Sequence, residues 1–333
     1  MGKTLFIKNQ NKKYKDKNMN IIITGGAGFL GTELLKNLLE NFPTINSIKI
    51  IDRVSLNPDL ITSNKIQSII ADITVAEEVE KIIDKETTHV FHLAAIVSSH
   101  AEEDFELGML VNLKATQLLL DRCREANTNI RFVFSSSLAV FGGQLPEKID
   151  YMTAMQPSSS YGTQKAICEL LVNDYARKGF VDAVSVRLPT ICIRPGAPNK
   201  AASSFVSGII REPLKHEKTN CPVDLNLPLW VSSPNTVIKN IVHASQINTD
   251  RLEGFRTINL PGLQTSPKEM IECLSSEHGE SYLDFISYEK DSKIEKIVSS
   301  WPRSINNEKE LSLGFIKDNN FNSIFSEYVE SVK

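Results

Sequence analysis

The chain has 333 residues, 41% of them apolar and 23% charged, with a formal net charge of −3. That length suits one large α/β domain, or two sharing a cleft. The mildly acidic balance excludes a general nucleic-acid binder, and no apolar run reaches the roughly 18–20 residues that span a bilayer. The five cysteines, Cys123, Cys168, Cys192, Cys221 and Cys273, are scattered without metal-ligand spacing. They read as reduced thiols of a cytoplasmic protein with no metal site.

Residues 1–18 hold six lysines against Asp16 alone and no apolar periodicity. They have neither the apolar core of a secretory signal nor the Arg and Ser of a mitochondrial address. The segment is expected to be a disordered basic tail, or an extension upstream of a start at Met19. From Met19 the organised sequence begins. Asn20 to Thr24 is a run of isoleucines closed by Gly25 and predicts a buried parallel strand. Residues 29–40 carry Leu30, Leu34, Leu35, Leu38 and Leu39 at helical spacing. Ser47 to Asp52 and Lys65 to Asp72 predict two more strands, Glu77 to Lys85 a helix, and His89 to Leu93 a fourth strand. Glu102 to Ala126 predicts one long helix through Leu107, Leu110, Val111, Leu118 and Leu119. Ile130 to Phe134 predicts a fifth strand ending on Ser135, Ser136 and Ser137. A helix over 160–178 and a strand from Ala183 to Leu188 follow. Uninterrupted strand–helix alternation predicts a parallel sheet with helices on both faces and a ligand crevice at the carboxyl ends of its strands. Beyond Pro189 the pattern loosens. Helices are expected at Ser203–Arg211 and Pro234–Gln246 and a short strand at Arg256–Leu260.

The string from Thr24 to Gly31 places Gly25, Gly28 and Gly31 at the spacing G-x-x-G-x-x-G between a strand and an amphipathic helix. Such a loop lets backbone approach a pyrophosphate, and the helix N-terminus supplies N–H groups to the anion. Phe29 and Leu30 belong to the same turn. Asp52 ends the second strand, where an acid accepts bonds from ribose hydroxyls and repels a 2′-phosphate, favouring NAD over NADP. Tyr161 and Lys165 stand four apart on one helix face. An ammonium beside a phenol favours the phenolate, so the pair suits removal of an alcohol proton, with a serine from the strand-end run holding the substrate oxygen.

With the loop, HLAA at 92–95, VFSSSLAVFGG at 133–143, SYGTQK at 160–165 and RLPT at 187–190, the chain resembles the extended short-chain dehydrogenase/reductase family from Met19 to about residue 260. The resemblance implies an α/β Rossmann-type, doubly wound parallel sheet with a smaller C-terminal substrate-binding subdomain. It assigns catalysis to Ser137, with Ser136 as fallback, and to Tyr161, Lys165 and Asn112. It adds Asp72, Ile73, Ala94 and Pro189 to the cofactor contacts. Phe141 stands where the family usually has tyrosine. The stretch from Leu188 to Leu214, with residues 160–182, looks like a subgroup that oxidises a four-carbon 2-hydroxy sugar acid with NAD.

A small hydroxy acid needs a cation for its carboxylate, and Arg194 and Arg211 are the two candidates. Ser98 and Ser99 are candidate donors to substrate hydroxyls. Asn199, Ser203 and Trp230 are weaker candidates, and His100 and His243 read as surface or structural. The rivals are a nucleotide-sugar epimerase or dehydratase, an L-threonine dehydrogenase, and a dinucleotide-binding protein without turnover. The expected organisation is a tail at 1–18, an NAD-binding domain at 19–190 joined by about 235–262, and a substrate-binding subdomain at 191–234 and 263–333. No nucleic-acid or membrane partner is expected, and a homodimer through the helices at 102–126 and 157–178 is. Removing residues 1–18 should leave turnover and melting temperature unchanged; a clear fall in melting temperature on deletion would show that the segment docks on the domain.

Overall fold

The computed structural model describes residues 18–198, 200–252 and 254–332. The tail expected at 1–18 lies outside these but for Asn18. Strand β1 (Met19–Thr24) and helix α1 (Phe29–Asn41) open the fold, followed by β2 (Ile45–Asp52), β3 (Ile66–Ile70), α2 (Ala76–Ile82) and β4 (His89–His92). Ile21 and Ile23 of β1 pack into one apolar layer with Leu34, Leu35 and Leu38 of α1. Ile22 packs into the opposite layer with Ile51, Val90 and Phe132. A strand buried on both faces needs apolar residues at every position, which is why β1 reads as a continuous run.

The single helix expected over 102–126 is broken. The chain forms α3 (Ser98–Glu103), α4 (Phe105–Gly108), a π-helical stretch over Met109–Lys114 and α5 (Ala115–Ala126). Asp104 makes the first break by capping α4, its carboxylate accepting from Leu107 N at 3.0 Å. The π stretch turns Asn112 inward, where its amide holds Ile96 and Gln164. Tertiary hydrogen bonds thus override a helical apolar pattern that continues unbroken through the segment.

Strand β5 (Arg131–Ser137), helix α6 (Ser160–Arg177) and strand β6 (Asp182–Leu188) follow, with Ser159 capping α6 through Gly162 N. Then come β7 (Thr190–Ile191), α7 (Ser204–Leu214), β8 (Thr219–Asn220), β9 (Leu229–Ser232), α8 (Pro234–Gln246) and β10 (Thr257–Asn259). The last elements are β11 (Leu263–Thr265), α9 (Pro267–His278), β12 (Ile286–Ser287), α10 (Ser292–Ser299), α11 (Glu308–Ser312) and α12 (Phe321–Ser331).

Seven strands form one parallel sheet in the order β10-β6-β5-β4-β1-β2-β3. The chain starts at β1, runs outward to β3, then returns to β4 on the other side. The crevice between the carboxyl ends of β1 and β4 is the switch point where such sheets bind ligands. Helix α8 packs on α1, and β10 extends the sheet beside β6. A separate apolar cluster draws on Phe205, Ile209, Val231, Met270, Leu274 and Phe325, among others, and roofs the crevice with a second layer.

His92 sits at the end of β4, 1% exposed, with Nδ1 at 2.7 Å from Thr24 Oγ1 and Nε2 at 2.9 Å from Thr116 Oγ1. Burial, and then the Lys165 charge, hold its pKa down to about 3. The unfolded chain takes up this proton below its ordinary value near 6.5, whereas the folded chain refuses it. The stability it confers is therefore complete above about pH 6.5 and drains as pH falls toward 3. Between pH 6.5 and 5 the loss is about 1–2 kcal/mol. Urea titrations of wild type and His92→Gln should show a shallower acid loss in the variant; parallel pH slopes would contradict this role of His92.

Candidate active site

A cleft of about 490 Å³ lies at the carboxyl ends of β1, β2, β4, β5 and β6, closed from the far side by residues of 188–230 and 298–302. At its floor Gly25 holds φ +68°, and a Cβ there would stand 2.7 Å from Ala94 N, so only glycine lets β1 and β4 meet below the ligand. Helix α1 has Gly28 as its N-cap, with no side-chain cap and no acid in its first turn. Its first-turn N–H groups are therefore available to an anion. Gly31 lies buried one turn along α1, against Gly25 and Gly26.

Of the cofactor candidates, Gly25, Gly28, Phe29, Leu30, Asp52, Asp72, Ile73, Ala94 and Pro189 border this cleft, and Gly31 does not. Asp52 is tied to the loop, Oδ2 accepting from Ala27 N at 3.1 Å and Oδ1 from Arg53 N at 2.7 Å. The Arg53 side chain, 74% exposed, lies 3.9 Å from Asp72. Thr74 hydrogen bonds hold the Asp72 carboxyl below its usual range. Uncapped N–H groups, a backbone cradle that a Cβ would fill, and an acid at the ribose end together fit a dinucleotide, and NAD better than NADP.

Tyr161 lines the same cleft and is partly exposed to it, and Ser137 hydrogen bonds its phenol. Lys165 lies behind, 2% exposed, its Nζ donating to Ser135 O at 2.7 Å and standing 5.8 Å from the Tyr161 ring centre. The four-residue spacing predicts that the lysine pulls the phenol pKa down. Instead burial pushes Tyr161 up to about 12, with the Ser137 hydrogen bond opposing it. Burial draws Lys165 down to about 8, with Cys168 and Glu169 opposing. Desolvation is the largest influence on both groups in the protein alone.

Several candidates have other duties. Ser136 borders the cleft, but its hydroxyl turns away and donates to Glu169 at 2.5 Å. Asn112 lies off the cleft, 1% exposed, its amide spent on Ile96 and Gln164. It holds the loop after β4 through Ile96. Arg211 is buried away from the cleft, donating to Glu212 at 2.5 Å and to Arg194 O at 2.8 Å. It braces the backbone of Arg194, whereas Arg194 itself lines the cleft. Ser98 lines the cleft and accepts from Ala202 N at 3.2 Å, while Ser99 and His100 lie outside the lining. Ser203 and Trp230 line it, and Asn199 lies outside the described residues. His243 Nε2 is 2.9 Å from Leu313 O, a structural contact as expected.

Val298, Trp301 and Pro302 wall the cleft from the C-terminal region and carry no motif that sequence reasoning finds. The one signal is composition, since Trp230 and Trp301 are the only tryptophans and both line the site.

Residues 21–230 match the NAD dependent epimerase/dehydratase family. A D-erythronate dehydrogenase of Haemophilus influenzae is 50% identical over 314 residues, 94% of this chain and 99% of its own length. A D-erythronate dehydrogenase of Cupriavidus necator is 44% identical over 320 residues, 94% of this chain and 98% of its own. Among solved structures, the nucleoside-diphosphate-sugar epimerase from Agrobacterium tumefaciens superposes with a TM-score of 0.88 at 37% identity, covering 94% of each chain.

The Asp52 geometry makes a quantitative demand. NAD should outperform NADP at least tenfold in kcat/KM, a gap of about 1.4 kcal/mol. Asp52→Ser should narrow it, and equal use of both cofactors by the wild type would remove the assignment.

Proposed function

The chain belongs to the NAD dependent epimerase/dehydratase family, and from that premise we propose that it oxidises D-erythronate at the 2-hydroxyl, giving 2-dehydro-D-erythronate. The observation that carries the substrate is the near-full-length likeness to two D-erythronate dehydrogenases. The chemistry of the cleft agrees with it.

The Gly25–Gly31 loop and the α1 N-terminus hold the pyrophosphate of NAD, Asp52 its adenosine ribose, and Asp72, Ile73, Ala94 and Pro189 flank it. Bound NAD supplies the hydride acceptor. Ser137 donates to the oxygen of the substrate 2-hydroxyl and keeps it beside Tyr161 Oη. Tyr161 removes the hydroxyl proton as general base. A buried phenol loses its proton only against positive charge, and Lys165 is the cationic side chain fixed beside its ring. Arg194 binds the carboxylate, and its guanidinium offers two parallel N–H donors to the two oxygens. Among the described lining residues Arg53 is the other arginine, and it stands at the ribose end beside Asp72. One cation at the substrate end suits a monocarboxylate better than a diphosphate.

The serine, tyrosine and arginine together fix which carbon faces the cofactor. No helix among the described residues is long and apolar enough to cross a membrane. The five cysteines are buried thiols, in keeping with the reducing cytoplasm we propose for it. For the homodimer we propose the face carrying Phe105, Leu110 and Leu170, which are 54%, 39% and 53% exposed.

The test is NADH formation with D-erythronate, erythritol and L-threonine, and product analysis with a UDP-sugar, whose epimerisation or dehydration would form no net NADH. D-erythronate should be preferred, and erythritol, which lacks the carboxylate, should be poor. Tyr161→Phe should lower kcat by about 10²–10⁴ while NAD binding persists. Arg194→Met should raise KM for D-erythronate more than about tenfold, as expected when a bound carboxylate loses its partner. Turnover of the UDP-sugar or L-threonine with D-erythronate inert would overturn the substrate and leave Tyr161 standing.

A further inference from the structure

Tyr161, Lys165 and Glu169 recur every fourth residue along α6 and so share one helix face. The first two face the chemistry. The third is 0% exposed, an ionisable group in the core for which the reaction above has no use. Its surroundings are built. Glu169 Oε1 accepts from Ser136 Oγ at 2.5 Å and from Arg187 Nε at 2.9 Å, and Oε2 accepts from Arg187 at 2.7 Å. Arg187, on β6 and 3% exposed, also donates to Asn259 Oδ1 at 3.2 Å and stands 4.6 Å above the Phe141 ring.

We propose that Glu169 is a positioning residue for the reaction: its buried carboxylate sustains the ammonium of Lys165 one turn away and ties the serine-bearing end of β5 to the catalytic helix. The inference rests on the proton transfer through Tyr161 and Lys165 proposed above. Two features separate it from a plain structural ion pair. A buried pair contributes little net stability, because desolvating both ions offsets their attraction. And the pair is anchored on both sides of the machinery, through Ser136, which adjoins Ser137, and through α6, on which Glu169 lies one turn from Lys165.

The charges around Lys165 allow this role. Cys168 and Glu169 face it from α6, His92 from β4, and Tyr161 from the cleft side; Arg187 on β6 lies behind Glu169. His92 is held neutral and Cys168 is held a thiol by burial. Glu169 is therefore the fixed negative charge among them, and it opposes the desolvation that lowers Lys165.

The experiment is the pH profile of kcat/KM for D-erythronate at saturating NAD. Wild-type turnover that Tyr161→Phe abolishes establishes the underlying reading, and the alkaline limb then judges Glu169 alone. Glu169→Gln should move that limb down by about one pH unit, since the ammonium loses a nearby opposite charge. Arg187→Gln breaks the same ion pair but keeps the carboxylate, so its limb should stay or rise. The double variant Glu169→Gln/Arg187→Gln removes both members of the ion pair, so it keeps the test open if the single variant fails to fold, and it should show the same downward move. A limb at the wild-type position in the folded double variant, or an equal fall in Arg187→Gln, would overturn the proposal.

Discussion

The proposed reaction depends on one constraint: an ammonium must stay protonated while buried behind a tyrosine that takes up a proton as its phenolate. Lys165 meets it through a hydrogen bond to the Ser135 carbonyl at the end of β5, 2.7 Å long. That bond requires α6 to lie close on the strand end. Gly162 permits the approach, since any Cβ there would overlap Ala139 O. The 3₁₀ turn after β5 is in turn capped by Ser137, whose Oγ accepts from Ala139 N at 3.1 Å. The same few residues thus set the helix seat and place the Ser137 hydroxyl and the Tyr161 phenol to which the proposed reaction gives its chemistry. A shift of one would be felt by all three.

In the proposed reaction the second layer would supply the selectivity. The roof over the cleft comes from segments far apart in the chain: Arg194 in the loop before α7, Trp230 on β9 and Trp301 after α10. Arg211 supports Arg194 from behind through a backbone hydrogen bond, and Ser207 accepts from Arg194 N at 3.0 Å. A guanidinium braced at its own backbone has less freedom to lose on binding a carboxylate. Phe141 carries no hydroxyl toward the site. Its ring is fully buried and lies against the guanidinium of Arg187, so its contribution is to seat the ion pair below the serines.

Where local physics decides, the sequence is transparent. Continuous isoleucine runs mark strands buried on both faces, and the glycine spacing marks the dinucleotide end because a strand precedes it and an amphipathic helix follows. Asp52, Tyr161 and Lys165 are legible because their spacing relative to strand ends is itself the signal. What stays illegible depends on tertiary direction. Arg194 and Arg211 lie in one stretch, and nothing local says which side chain turns to the cleft and which to Glu212. Ser136 and Ser137 alternate across β5, so a one-residue difference sends one hydroxyl to the helix and the other to the phenol. The π stretch over Met109–Lys114 is hidden because its apolar residues keep helical spacing. The rise of the Tyr161 pKa is hidden because its desolvation, which outweighs the Ser137 hydrogen bond, is not written in a Tyr-x-x-x-Lys pair.

The central claim is that this cleft removes hydride from C2 of D-erythronate while Tyr161 takes the proton of the 2-hydroxyl. Isotope tracing reads it directly. D-erythronate deuterated at C2 should yield deuterated NADH, while D-erythronate deuterated at C3 should yield unlabelled NADH. Deuterium arriving from C3, or from neither carbon, would contradict the account.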